Sequence, residues 1–327
     1  MQFKSESPVD RDEESTVNVA IIGSGLIGRA WAVVFANSGC DVVMYDTDAT
    51  CRLGAADAVA AECEILHRHG LLDDMPAVLR RVSVTDNLSQ AVQTADFIQE
   101  NGPERLPVKQ ELFAELDRLA PADTPIASST SAIPASQFTQ TLTGRHRCLV
   151  GHPVNPPHLV RLVEICGAPW TSADSLDKAY DVYARCGMVP VRIKSEKQGF
   201  VLNRLQGAVL AEALRLLAED VISVEDLDKT MKDGLGMRWA FMGPFETIEL
   251  NAPEGAADYF RRYCGLFTQM AAEPPGPGVF DEAVTRQITK GWQTKLDSSQ
   301  IPARTNWRNE RLASLAAWKQ KREEDET

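Results

Sequence analysis

Residues 17–31 read VNVAIIGSGLIGRAW, and how this stretch folds decides the rest of the chain. VNVAIIG is a short apolar, β-branched run closed by glycine, the pattern of a buried strand. LIGRAWAVVFANSG follows with helical spacing and is closed by Gly39. Between the two stand Gly23, Gly25 and Gly28 in a GxGxxG pattern that opens the helix. Alone the pattern is weak, because glycines gather in many turns. Here it follows a strand and opens a helix, and the next strand, DVVMYD, ends on the acid Asp46. In that context it reads as a dinucleotide fingerprint. Gly23 permits the tight turn, Gly25 lets backbone approach a pyrophosphate, and Gly28 lets helix pack on strand. The first-turn N–H groups, at Leu26 and Ile27, offer the phosphates hydrogen bonds and the positive end of the helix dipole. Asp46 would accept hydrogen bonds from the ribose hydroxyls and repel a 2′-phosphate, which favours NAD over NADP. Arg52, the nearest cation, is expected on the following helix. The bland alternative is a strand–turn–helix with packing glycines and an exposed acid.

Outward from this unit the same alternation continues. A long helical pattern runs from Ala49 to His69, with His67 and His69 at the end where a helix dipole favours cations. RVSVT, DFIQE, TPIASS, RCLVGHP, RLVEIC and MVPVRI are further strand candidates, with helical patterns such as VKQELFAELDRLA and SLDKAYDVYARCG among them. Alternating strands and helices with apolar strands imply a mostly parallel sheet covered on both faces, a doubly wound α/β fold of Rossmann type. After Lys197 the strand patterns stop, and FVLNRLQGAVLAEALRLLAED and VEDLDKTMKDG are amphipathic helices. The division expected is a disordered tail over 1–16, a dinucleotide domain over 17–196 and an all-helical domain over 197–327. The terminal KQKREEDET is expected to resemble the tail.

A net charge of −12 disfavours nucleic acid and anionic membrane as partners, since both require clustered Lys and Arg. The seven cysteines form no CxxC pair, which points to a reducing compartment, the cytoplasm, and to no structural zinc. The polar first residues lack the apolar run of a signal peptide, and no stretch is long and apolar enough to span a bilayer.

Four residues stand out in and after the second half of the α/β domain. Ser131 lies in SSTS after the strand TPIASS, His152 in GHPVNPP, Glu164 in LVEIC, and Asn203 in GFVLNR. Oxidising an alcohol removes a hydride from carbon and a proton from oxygen. Imidazole is the side chain whose pKa suits that proton at neutral pH. A carboxylate partner would fix its tautomer and stabilise the imidazolium. Each residue also has a structural reading: a hydrogen-bonded histidine, a solvent-facing strand glutamate, a helix-start asparagine, a loop serine.

The stretches GSGLIGRAW, SSTSAI, GHPVNPPHLVRLVEI, GFVLNRLQ and GLGMRWAFMGPFET together resemble the 3-hydroxyacyl-CoA dehydrogenase superfamily, in particular its lambda-crystallin and L-gulonate 3-dehydrogenase branch. The resemblance runs from Val17 to about Trp307. It implies that His152 is the catalytic base, Glu164 its partner, Ser131 a contact to the substrate oxygen and Asn203 the residue that completes the site. It implies further that Glu104 and Lys109 line the nicotinamide side of the cofactor cleft. Acyl-CoA members carry two aromatics after the histidine, whereas this chain has Pro153 and Val154.

The substrate expected is a small free 3-hydroxy acid such as L-gulonate, with a 3-hydroxyacyl-CoA or carnitine as alternatives. A structural, crystallin-like dinucleotide binder is the reading of another class. Residues 61–81, where acyl-CoA members bind the CoA phosphates, hold three arginines, no lysine and four acids, a poor phosphate cradle. Arg238, in GLGMRWAFMGP, is the candidate for the substrate carboxylate, because its planar fork suits a bidentate contact. The alternative is a structural pair with Asp233 or Glu246. AVLAEALRLLAEDVI and YFRRYCGLFTQMAA exceed what a small domain buries, so a homodimer through the helical domain is expected.

Overall fold

The computed structural model describes residues 16–326. The expected tail therefore lies outside the described residues, except for Thr16. The chain divides into an α/β unit, residues 1–201 together with 303–327, and a helical unit, Leu202–Pro302.

All eight expected strands are present. They are β1 (Asn18–Ile22), β2 (Asp41–Tyr45), β3 (Val82–Thr85), β4 (Phe97–Glu100), β5 (Ile126–Ser128), β6 (Cys148–Pro153), β7 (Leu162–Gly167) and β8 (Val189–Ile193). They form one sheet in the order β3-β2-β1-β4-β5-β6-β7-β8. Every pairing is parallel except β6 with β7. Around the sheet lie α1 (Leu26–Asn37), α2 (Ala49–Arg68), α3 (Met75–Arg80), α4 (Leu88–Val92), α5 (Leu106–Leu119), α6 (Ala135–Thr139) and α7 (Ala173–Arg185).

The strand alternation shows why the sheet is covered twice. On β1, Val19 and Ile21 enter one core while Ala20 and Ile22 enter the other. Phe97 and Ile98 on β4 divide in the same way. The first core is built on α1. Trp31 lies against Phe35 and Tyr183, with ring centroids 5.4 and 5.3 Å away. Truncating a buried tryptophan of this kind to alanine removes about 3–5 kcal/mol. The second core centres on Phe113 and Phe138, 4.6 Å apart.

The strand order reverses direction between β1 and β4, which opens a crevice at the carboxyl ends of these strands. The fingerprint loop, Asn101 and the ends of β5 and β6 gather at that sheet edge.

The helical unit contains α8 (Leu202–Ala218), α9 (Val224–Lys229), α10 (Gly236–Trp239), α11 (Pro244–Leu250), α12 (Ala256–Ala271) and α13 (Glu282–Gly291), with a π-helical turn, Thr230–Leu235, joining α9 to α10. The last helix, α14 (Ile301–Glu326), departs from the expected division. From Ala303 it belongs to the α/β unit. Ala313 is buried in the first core, and Glu310 accepts hydrogen bonds from Arg68 and His69 of the α2 end. The terminal KQKREEDE, expected to resemble the tail, is helical through Glu326. No helix among the described residues is long and apolar enough to cross a membrane.

Candidate active site

The fingerprint loop has the shape a pyrophosphate requires. Gly23 adopts φ +97°, and a Cβ there would lie 2.8 Å from the Asn101 carbonyl oxygen. At Gly28 a Cβ would lie 1.8 Å from the Gly23 oxygen, so only glycine lets α1 start this close to the turn. A Cβ at Gly25 would meet nothing within 4 Å, which leaves room over the start of α1. No side chain caps that helix, so the first-turn N–H groups at Leu26, Ile27 and Gly28 face the crevice without a side-chain acceptor. Asp46, at the end of β2, accepts the Ser24 N–H at 2.7 Å and the Ser24 hydroxyl at 3.0 Å. This holds the acid beside the loop, where a ribose would lie. Arg52 is on α2 as expected, and its guanidinium donates to the Asp46 and Thr47 carbonyl oxygens, away from the Asp46 carboxylate. These residues fit a dinucleotide.

His152 is on β6, the strand that RCLVGHP forms. It stands directly opposite Glu164 in the antiparallel β6–β7 register. Facing residues on adjacent strands bring their Cβ atoms within about 5 Å, and here the two side chains meet. Nδ1 of His152 and Oε2 of Glu164 are 2.8 Å apart. His152 is 6% exposed and Glu164 2%, so Glu164 is not a solvent-facing strand residue. Donation from Nδ1–H to the carboxylate leaves Nε2 with its lone pair, the tautomer a general base needs. The other Glu164 oxygen accepts the Val201 N–H at 2.9 Å.

The next support was not legible in the sequence. Phe200 has φ +50°, a conformation non-glycine residues rarely adopt, next to Gly199 at φ +75°. The turn carries the fully buried Phe200 ring to 5.5 Å from the imidazole, centroid to centroid. An outlier held this firmly beside a reactive side chain marks a site whose geometry the surrounding structure fixes.

The β4 and β5 ends form a second polar cluster. Glu104 accepts the Thr130 hydroxyl at 2.6 Å and the Ala132 N–H at 3.2 Å, which grips the loop on both sides of exposed Ser131. Lys109 differs from the expected cleft-lining cation. It is 1% exposed, and its ammonium lies 3.0 and 2.9 Å from the two oxygens of fully buried Glu100 and only 3.9 Å from Glu104. Glu100 also accepts the Gly102 N–H at 2.6 Å and the Ser128 hydroxyl. One buried carboxylate thus ties together α5, the loop after β4 and the end of β5. The strand reading of DFIQE concealed this role, because a lone acid in an apolar run has no periodic signature.

Asn203 lies in the first turn of α8 and Arg238 on α10, both in the helical unit. The Arg238 side chain is exposed and has no hydrogen-bond or ion-pair partner among the described residues. Asp233 pairs with Lys232, and Glu246 accepts the Gly243 N–H, so neither forms the structural pair considered for Arg238.

Comparison with known proteins agrees with this geometry. The family description "3-hydroxyacyl-CoA dehydrogenase, NAD binding domain" matches residues 18–196, and "3-hydroxyacyl-CoA dehydrogenase, C-terminal domain" matches 199–283. The chain belongs to the 3-hydroxyacyl-CoA dehydrogenase family, and its cofactor is NAD. It is 39% identical to the lambda-crystallin homolog of Mus musculus over 92% of this chain and 96% of that protein, which places it in the lambda-crystallin branch. It is 37% identical to an L-carnitine dehydrogenase of Streptomyces griseus over 77% of this chain and 75% of that one. Among solved structures, an NAD+-dependent dismutase, 5-formyl-3-hydroxy-2-methylpyridine-4-carboxylic acid 5-dehydrogenase, superposes with a TM-score of 0.80 at 27% identity, over 92% of this chain and 97% of that one.

Proposed function

We propose that the protein oxidises the 3-hydroxyl of a small free 3-hydroxy acid, of the L-gulonate kind, to the 3-keto acid. The observation that carries this reading is the buried His152–Glu164 pair at the sheet edge where a dinucleotide fits. Bound NAD+ would accept the hydride. His152 Nε2 takes the hydroxyl proton, and Glu164 stabilises the imidazolium that forms. Ser131 and Asn203 hydrogen-bond the reacting oxygen, and Glu104 holds the Ser131 loop in place. The fingerprint loop and Asp46 orient the cofactor.

A free acid is favoured over a CoA thioester by the cations of the segment after β2. Of its arginines, Arg68 is paired with Glu310 and Arg81 with Asp41, which leaves little for phosphates. Arg238, exposed and without a partner among the described residues, is the cation proposed for the substrate carboxylate. Carnitine carries a carboxylate as well and is the second reading, supported by the likeness to carnitine dehydrogenases. The crystallin-like structural role is disfavoured, because a scaffold has no use for a buried histidine–carboxylate pair at a dinucleotide crevice. We place the protein in the cytoplasm as a homodimer joined through its helical units.

The test is NADH formation at 340 nm across a panel of 3-hydroxy acids, carnitine and 3-hydroxyacyl-CoA thioesters. Turnover of a free 3-hydroxy acid, with KM raised at least tenfold in Arg238→Met and the circular dichroism unchanged, is expected. Turnover of CoA thioesters alone ends the proposal.

A further inference from the structure

The mechanism uses none of the seven cysteines, yet two of them lie together. Cys40, just before β2, and Cys186, just after α7, are 146 residues apart in sequence, and their sulfurs are 3.9 Å apart. A disulfide needs about 2.05 Å, so the two are in contact and a modest side-chain movement closes the gap. Both are buried, 6% and 8% exposed, but both line one cleft of about 340 Å³ together with Ser38, Gly39 and Arg185. A small oxidant can reach them there. We propose that Cys40 and Cys186 are a dithiol modification site, which a peroxide closes into a reversible intrachain disulfide.

The other thiols set this pair apart. Burial pushes Cys63 up to about 11 and Cys148 and Cys166 up to about 12, so at neutral pH they stay protonated and unreactive. Cys40 moves the other way. The hydrogen bond from Cys186 lowers it, against the opposing effect of burial and with help from the Arg81 charge, while the same hydrogen bond and burial push Cys186 up. The asymmetry favours Cys40 as the attacking sulfur and leaves Cys186 as the thiol that resolves it. In the first step the Cys40 sulfur attacks one peroxide oxygen, the O–O bond breaks, and the leaving oxygen takes a proton to become water. Cys40 is then a sulfenic acid. In the second step the Cys186 sulfur attacks the Cys40 sulfur, the S–O bond breaks, and a second water leaves with the Cys186 proton. Two thiols are oxidised and one peroxide is reduced to two waters.

The experiment treats the full chain, in a Cys51→Ser background, with graded hydrogen peroxide. Remaining thiols are then alkylated, and the tryptic digest is read by mass spectrometry without reduction. The background is needed because the tryptic peptide 30–52 carries both Cys40 and Cys51. Peptide 30–52 linked to 186–192, and released by dithiothreitol, is the expected result. A further Cys186→Ser change is expected to abolish the link and leave Cys40 trapped by dimedone as the sulfenic acid. The site is refuted if both thiols are recovered alkylated at peroxide doses that oxidise exposed Cys264, which would show a packed pair and nothing more. It is equally refuted if Cys40 pairs instead with another cysteine.

Discussion

The two units solve the problem of apolar surface in opposite ways. The α/β unit buries its large side chains almost completely, among them Trp31, Phe35, Phe97, Phe113 and Tyr183. The helical unit buries very little. No residue of α8, α9 or α13 is buried, while Leu205, Phe245, Phe260, Leu266 and Met270 are each more than 40% exposed. On α12, Tyr259 lies 4.6 Å from Tyr263 and 6.2 Å from Phe267, centroid to centroid, as an aromatic row along one helix. A helical domain gains its stability from packing of its apolar faces, and exposed apolar side chains of this kind are where another molecule can dock. The contrast teaches that the first unit buries its apolar side chains within itself, while the second leaves many of its own exposed, the surface that the proposed dimer would cover.

The largest expected effect tests whether the first unit holds the chemistry. His152→Ala should lower kcat by about a hundred- to ten-thousandfold with NAD+ affinity nearly unchanged, because the imidazole serves the reacting hydroxyl and not the dinucleotide. Glu164→Gln should act in the same direction with a smaller loss. Normal turnover by His152→Ala would remove the site from the α/β unit altogether.

The next tests whether the second unit is incomplete alone. Leu266→Asp on the exposed face of α12 should convert a dimer to a monomer by light scattering at micromolar concentration, with NAD+ binding retained. A wild type that is itself monomeric would break the comparison.

A smaller effect is expected at Asp46. Without its charge, repulsion of a 2′-phosphate falls by about 1 kcal/mol in a solvated site, so Asp46→Ala should raise the ratio of NADP+ to NAD+ use by about fivefold. A wild type that already prefers NADP+ would contradict the geometry of the Ser24–Asp46 contact.

The smallest concerns the return of α14. Hydrogen bonds from His69 and then Arg68 hold the Glu310 carboxyl below its ordinary value. A carboxylate with a depressed folded pKa stabilises the folded state above its unfolded value, and that stabilisation is lost as pH falls through the folded value. As pH falls below the ordinary carboxylate range the helix should loosen first, and Glu310→Gln should already be looser at neutral pH. The fluorescence of Trp307 and Trp318, both on α14, reads this out. An identical acid transition in wild type and Glu310→Gln would show that packing alone holds the helix.

What the sequence determined by itself was the set of elements and the cofactor crevice. Strand and helix periods are local, and so are the glycine turn and the acid that ends β2, so every strand and the fingerprint could be read from neighbours in the chain. His152 and Glu164 were legible as residue types suited to the chemistry and from the family resemblance. Their contact was decided by the antiparallel β6–β7 register, which no local pattern encodes. The pairing of Lys109 with buried Glu100, and the left-handed Phe200 behind the imidazole, were likewise decided by packing. So were the docking of α14 on α2 and the meeting of Cys40 with Cys186. Each of these contacts depends on which side chains a shared core forces together. That is set only when distant segments close on one another, since burial and charge pairing act through space and not along the chain.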